Sequence, residues 1–195
     1  DRLLQVMKKL HKEFLGKAEE FNPLIKMGRT HLQDAVPIRL GQEFEAYACA
    51  LDRDMKRIDR TRENLYEINM GATAVGTGLN ADPEYIEKVV GYLAQLTNLP
   101  LRRVNNLVDG TQNTDCYMEV SSALKICMMN MSKVANDLRL MASGPKCGFG
   151  EINLPPRQPG SSIMPGKVNP VMAEVLNQSA FQVAGNDLTI SMACE

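Results

Sequence analysis

An all-α fold, a bundle of long helices, is what this sequence predicts, on three observations. Apolar residues recur at three- and four-residue steps through residues 40–69 and again through residues 113–142. Aromatics are scarce, with no Trp, five Phe and five Tyr against twelve Met. Leu, Met and Ala must therefore fill the core, a composition suited to helices packed on one another. Finally, no convincing alternation of apolar and polar residues is present, so no substantial sheet is expected.

The elements follow in order. Leu3, Leu4, Val6, Met7, Leu10, Phe14, Leu15, Ala18 and Phe21 trace one apolar stripe, which predicts a helix to about Asn22, before Pro23. Residues 27–38 read as a loop containing Gly28 and Pro37. A long helix is expected over 40–69, with Phe44, Tyr47, Ala48, Leu51, Met55, Ile58, Leu65 and Ile68 along one side. At roughly 1.5 Å per residue it would reach on the order of 45 Å and would need a long partner. A Gly-rich loop fills 70–82, after which Asp82 is a plausible N-cap with Pro83 at the first helical position. A short helix to about Leu96, an irregular stretch over 97–111, a Met- and Leu-rich helix over 113–142, a Pro-rich loop over 144–166 and a last helix from about Asn169 complete the chain.

Composition removes several function classes. A net charge of −1 among 45 charged side chains gives no basic face for nucleic acid. No apolar run is long enough to span a bilayer. The five cysteines are odd in number and scattered without a CxxC pair, which argues for reduced thiols in a cytoplasmic setting and against a zinc site. With only His11 and His31 present, a His-rich metal centre is not expected either. The chain starts already in helical pattern at Asp1-Arg2-Leu3-Leu4 and stops at Ala193-Cys194-Glu195 without a cap, so it is expected to be an internal piece of a longer polypeptide.

Three loops carry the candidate chemistry, at 28–37, 71–80 and 143–167. Loops of this length inside a helical protein are usually functional or disordered, and richness in Gly, Ser, Thr and Asn favours ordered anion contacts. The most informative is Gly160-Ser161-Ser162-Ile163-Met164-Pro165-Gly166-Lys167-Val168-Asn169-Pro170, which carries hydroxyls, an amide and a cation into a helix start. That arrangement suits a small anion. In the first loop, Thr30 and Gln33 supply neutral donors beside the titratable ring of His31. The middle loop lacks the Lys-Ser/Thr ending and the preceding strand of a nucleotide loop.

Residues 160–170 resemble the signature loop of the aspartase/fumarase superfamily, and Gly28-Arg29-Thr30-His31 resembles a second signature of the same enzymes. The resemblance extends over essentially the whole chain through Gly41-Gln42-Glu43-Phe44, Gly76-Thr77-Gly78-Leu79-Asn80, Asn136-Asp137-Leu138-Arg139 and Ser143-Gly144-Pro145. Other strings, Leu107 to Asp115, Glu151-Ile152-Asn153-Leu154-Pro155 and Gly185-Asn186-Asp187, look more like the aspartase branch than the fumarase branch.

What the resemblance implies is an elimination that releases fumarate, through an enediolate formed by proton abstraction beside a carboxylate. By position it makes Ser161 the base, Lys167 and Asn169 the groups that stabilise the extra charge, and Met164 a further substrate-binding residue. Thr30 and His31 would bind the other end of the substrate, with His31 paired to Glu174. Ser162 reads as a turn hydroxyl. The resemblance also implies a homotetramer with active sites shared between subunits, a small-molecule substrate and no organic cofactor. No ligand cluster supports naming a metal. On the same grounds residues 1–195 are expected to be the central helical domain of the parent, inactive alone. Two alternatives stay open: the same fold acting as a class II fumarase, and a helical assembly module without chemistry.

Overall fold

The computed structural model describes residues 1–160 and 162–195. Its helices are α1 (Arg2–Glu20), α2 (Leu40–Arg60), α3 (Arg62–Leu65), α4 (Pro83–Thr97), α5 (Leu107–Gln112), α6 (Asp115–Met141) and α7 (Val171–Ala193). Four strands accompany them: β1 (Ile25–Thr30), β2 (Gln33–Arg39), β3 (Glu67–Ile68) and β4 (Arg102–Arg103). The chain divides into two compact units. One comprises Asp1–Lys56 with Lys125–Gly185, the other Arg57–Leu124 with Asn186–Glu195.

In the first unit the amphipathic stripes of α1 and α2 meet through rings. Phe44 sits edge-on to Phe21, Tyr47 and Phe14 at centroid separations of 5.1, 5.5 and 6.5 Å, the geometry that places ring edges against ring faces. Gly41 allows the approach, since a Cβ there would lie 2.3 Å from the Ala18 carbonyl oxygen. Met131, Val134, Ala135 and Met141 of α6 add to this core. One charge is buried within it. Asp54 is fully shielded, and Asn130 Nδ2 donates to both its carboxylate oxygens at 3.0 and 2.9 Å, so the polar group is matched rather than stranded.

Three expectations are refined. The loop expected at 27–38 is a β-hairpin in which β1 and β2 pair antiparallel, with a register shift between Met27 and Arg29. β2 exposes nearly all of its residues and β1 buries none fully, so neither carries the one-sided apolar alternation that betrays a strand in sequence. The helix expected over 40–69 ends at Arg60. Buried Thr61 donates its hydroxyl to the Ile58 carbonyl at 2.7 Å, a local bond that competes with continued helix. Beyond α3 the chain pairs in parallel with β4. The stretch 97–111, expected to be irregular, holds β4 and the start of α5, capped by Asn106 Oδ1 accepting from the Val108 and Asp109 amides at 2.9 and 3.1 Å.

The second unit bears out the Asp82 N-cap, whose Oδ1 accepts from the Glu84 amide at 2.7 Å, with Pro83 opening α4. Buried Asp187 accepts from Ser121 Oγ at 2.8 Å and Ser122 Oγ at 3.2 Å. Helix α7 contrasts with α2. Its exposed side chains include Met172, Val175, Phe181, Leu188 and Met192, while its buried positions include Asn177 and Asp187. Large apolar side chains thus stand outward and polar ones inward, the reverse of the amphipathic order in α2.

Candidate active site

The Thr30-His31 pair occupies the hairpin tip. His31 and Leu32 are the two turn residues between β1 and β2, with φ of 53° and 62°. Both angles are left-handed, as a two-residue turn compatible with strand twist requires, and such turns normally employ Asn and Gly. Two non-glycine residues held there are a local cost that recurs at functional sites. The hairpin is fastened to its surroundings by charge. Lys26 Nζ lies 3.0 Å from both Glu43 Oε2 and Glu151 Oε2. Arg29 grips both oxygens of the Glu151 carboxylate, with its Nη1 at 3.2 Å from Oε2. The Arg29 guanidinium also stacks on Phe149, 3.9 Å from the ring centroid. Burial alone would raise the Glu151 carboxyl pKa, but Arg29 and Lys26 outweigh it and hold it below the ordinary value. His31 lines a depression of about 390 Å³ with Lys26, Arg29, Glu43, Tyr47, Lys133 and Asp137. Tyr47 donates to Asp137 Oδ2 at 3.1 Å. Burial first, then the Asp137 and Glu43 charges, push the phenol far above its ordinary pKa.

The second candidate region forms a larger cleft of about 670 Å³, to which Lys167, Asn169, Asn136, Arg139, Ser143 and Gly144 contribute. Its walls are shaped by backbone. Gly150 N donates to Ser143 O at 2.8 Å and Glu151 N to Met141 O at 2.8 Å, which folds the loop back on the end of α6. Lys167 N donates to Met164 O at 3.2 Å, with Gly166 at φ 81°. Gly160 lies against this turn so closely that a Cβ would stand 2.9 Å from the Lys167 carbonyl oxygen, a position only glycine fills without displacement. Lys167 and Met164 are exposed, and Asn169 is half-buried just before α7 begins at Val171. The unpaired N–H groups of that first turn are suited to negative charge.

A family model described as lyase matches residues 1–185. The chain belongs to this lyase family, within the aspartase/fumarase superfamily. It is 69% identical over all 195 residues to the aspartate ammonia-lyase of Bacillus subtilis (strain 168), of which it covers 41%. Among solved structures, a fumarate lyase:delta crystallin from Brucella melitensis bound to cobalt superposes with a TM-score of 0.94 at 48% identity, over 97% of this chain and 41% of that one. A recombinant class II fumarase from Schistosoma mansoni superposes at 0.93 and 35% identity, over 98% of this chain and 43% of that one. The chain thus spans about two fifths of the length of the curated relatives it matches.

Against this lyase background the expected site residues separate into two groups. Lys167 and Asn169 share the larger cleft. His31 lines the other depression, and Leu140 is the one described residue common to the linings of both. Glu174, on the first turn of α7, faces Arg139 Nη2 at 3.9 Å. No hydrogen bond or ion pair among the described residues joins it to His31. Ser161 lies outside the described residues. Sequence reading assigned no role to Arg139, Asn136 or Asn177. The available signal was two polar residues three apart, hence on one face, near the end of an otherwise apolar helix.

Proposed function

We propose that this chain is the central helical domain of an aspartate ammonia-lyase, which converts L-aspartate reversibly to fumarate and ammonia. The observation that carries the reading is 69% identity along the entire chain to an aspartate ammonia-lyase, the cleft segment included. In this reading Ser161 takes a proton from the carbon beside one carboxylate. The electron pair moves into that carboxylate as an enediolate, which then expels ammonia from the neighbouring carbon. The intermediate carries an additional negative charge, so preorganised donors are the main catalytic resource. Lys167 and Asn169, in one cleft beside the start of α7, suit that task. A serine hydroxyl is a weak base at neutral pH and gains strength only where its oxyanion is stabilised by amides and positive charge. Thr30 and His31 hold the other carboxylate or the amino end, and Met164 lines the substrate.

The His31–Glu174 pair is assigned here across a subunit boundary, within a homotetramer. The apolar exposed faces of α7 support such an assembly. Free cysteines throughout the chain support a cytoplasmic enzyme. Full-length enzyme containing this segment is expected to release fumarate, followed by its ultraviolet absorbance, from L-aspartate and not from L-malate. Ser161→Ala should reduce kcat by about a thousandfold or more with the assembly intact. Faster turnover of L-malate would make the protein a fumarase. Unchanged turnover on losing the Ser161 hydroxyl would remove this serine from the mechanism.

A further inference from the structure

Arg139 carries the inference that goes beyond this assignment. It lines the Lys167–Asn169 cleft, yet its guanidinium is anchored from behind rather than directed by the loop. Its Nη1 donates to Asn136 Oδ1 at 3.4 Å, one turn back on α6. Asn177 of α7 supplies an alternative anchor. In its swapped amide orientation Asn177 donates to Ser132 Oγ at 3.0 Å and Ser132 O at 3.2 Å and accepts from Arg139 Nη1 at 3.0 Å; its oxygen then meets the Asn136 amide at 2.7 Å, so Asn136 turns to present its nitrogen and Asn177 replaces it as the acceptor for Arg139. Asn177 and Ser132 are both buried, at 5% and 7% exposure, so the anchor has little freedom to rearrange. The remaining terminal nitrogen, Nη2, faces Glu174 Oε1 at 3.9 Å. Glu174 and Asn177 stand three apart on α7 and so share the face turned to Arg139.

The pair is half-exposed, with side-chain exposures of 40% and 42%, and pairs of that kind add little to stability. A buried amide network that ends in a weakly stabilising contact makes sense as a device for aiming a carboxylate. Glu174 has no second partner among the described residues, and a carboxylate that meets one guanidinium nitrogen keeps most of its acceptor sites open. We infer that Arg139 is a positioning residue, holding Glu174 so that its free oxygen meets His31 of the partner subunit. This rests on the lyase reading above.

The test is a double-mutant cycle in the full-length enzyme. Glu174→Gln should lower kcat for L-aspartate. Arg139→Met should lower kcat about tenfold with KM within twofold, because a carboxylate displaced by a fraction of an ångström loses alignment without loss of substrate contact. Arg139→Lys should restore a substantial part. The double variant should be no slower than Glu174→Gln alone, the mark of two residues acting as one unit. Multiplying penalties, an unaffected Arg139→Met enzyme, or a KM that rises while kcat holds would each overturn the inference, the last by making Arg139 a direct substrate cation. If Arg139→Met fails to assemble, the same cycle run with Arg139→Lys decides. Full turnover in both Glu174→Gln and Ser161→Ala would instead remove the lyase reading itself, whereas a loss in those two with additive Arg139 effects removes only the positioning role.

Discussion

The hairpin tip and the cleft loop both carry candidate site residues, and they are built by opposite means. At the hairpin, two cations, Lys26 and Arg29, converge on two carboxylates, Glu43 and Glu151, and the turn residues are held left-handed without glycine. At the cleft, glycines and backbone bonds do the shaping, from Ser143 to Gly150 and from Met164 to Lys167, while Lys167 itself stays exposed. One region is held by charge that is largely shielded from water. The other is a close-fitting backbone turn whose cation is exposed. In the function proposed above, rigidity at the first would serve a residue that reaches to another subunit, and an exposed cation at the second a loop that meets a charged substrate. Among the described residues the two linings share Leu140 alone, and His31 and Lys167 line different spaces.

The sharpest way to break that comparison is subunit complementation. Full-length His31→Ala and Lys167→Ala enzymes should each lose at least a hundredfold in turnover. When the two are mixed through denaturation and reassembly, about a quarter of native activity should return, because random assortment gives that fraction of sites one intact copy of each residue. A mixture no more active than its components would mean that both residues serve a site from one chain.

Glu151→Gln probes the charged hairpin. It leaves Lys26 and Arg29, with side chains 10% and 13% exposed, facing a neutral amide. A loss of about 2–4 kcal/mol of stability is expected in denaturant melts of the full-length enzyme. The pH dependence has a definite sign. The folded-state pKa of Glu151 is depressed below the ordinary 4.5, so its stabilisation is complete above that value and is lost as pH falls through the folded pKa. The gap between native enzyme and variant should therefore close on acidification from pH 4.5 downward. A gap that stays constant would mean that the network owes its strength to shape rather than charge.

The smallest effect concerns the turn. Leu32 sits at φ 62° and is 66% exposed, so Leu32→Gly removes backbone strain and little packing. A gain of up to about 1 kcal/mol is expected from differential scanning calorimetry. A loss would show that the Leu32 side chain packs against something in the assembled protein, and would turn attention to that contact.

Much of this was legible in the chain. The stripe of Phe14, Phe44, Tyr47 and Leu51 announces two helices that bury a common face, because helical periodicity is a local property that tertiary context seldom reverses. The Asp82-Pro83 start needed no tertiary information, since a cap bonds to amides two and three residues away. The hairpin escaped detection because neither strand buries an apolar face, the shielded side chains of β1 being the charged Lys26 and Arg29, and the end of α2 escaped because a single buried threonine, not a Gly or Pro, turns the chain out of helix. Lys167, Asn169 and His31 stood out as residue types in polar loops, and the strings around them pointed to the lyase family. Arg139 did not stand out, since its meaning depends on Asn177 and Glu174, which lie more than thirty positions away.

By itself, then, the sequence determined the main helical stripes, the Asp82 cap, a near-neutral charge and the lyase family, all of which follow from short-range pattern or residue identity. Only the tertiary structure decided that Lys26, Arg29, Glu43 and Glu151 form one network, that Arg139 stands 3.9 Å from Glu174, and that His31 and Lys167 line different spaces. Those are distances between residues 17 to 136 positions apart, set by how side chains fill the space between helices, and no local rule of chain conformation encodes them.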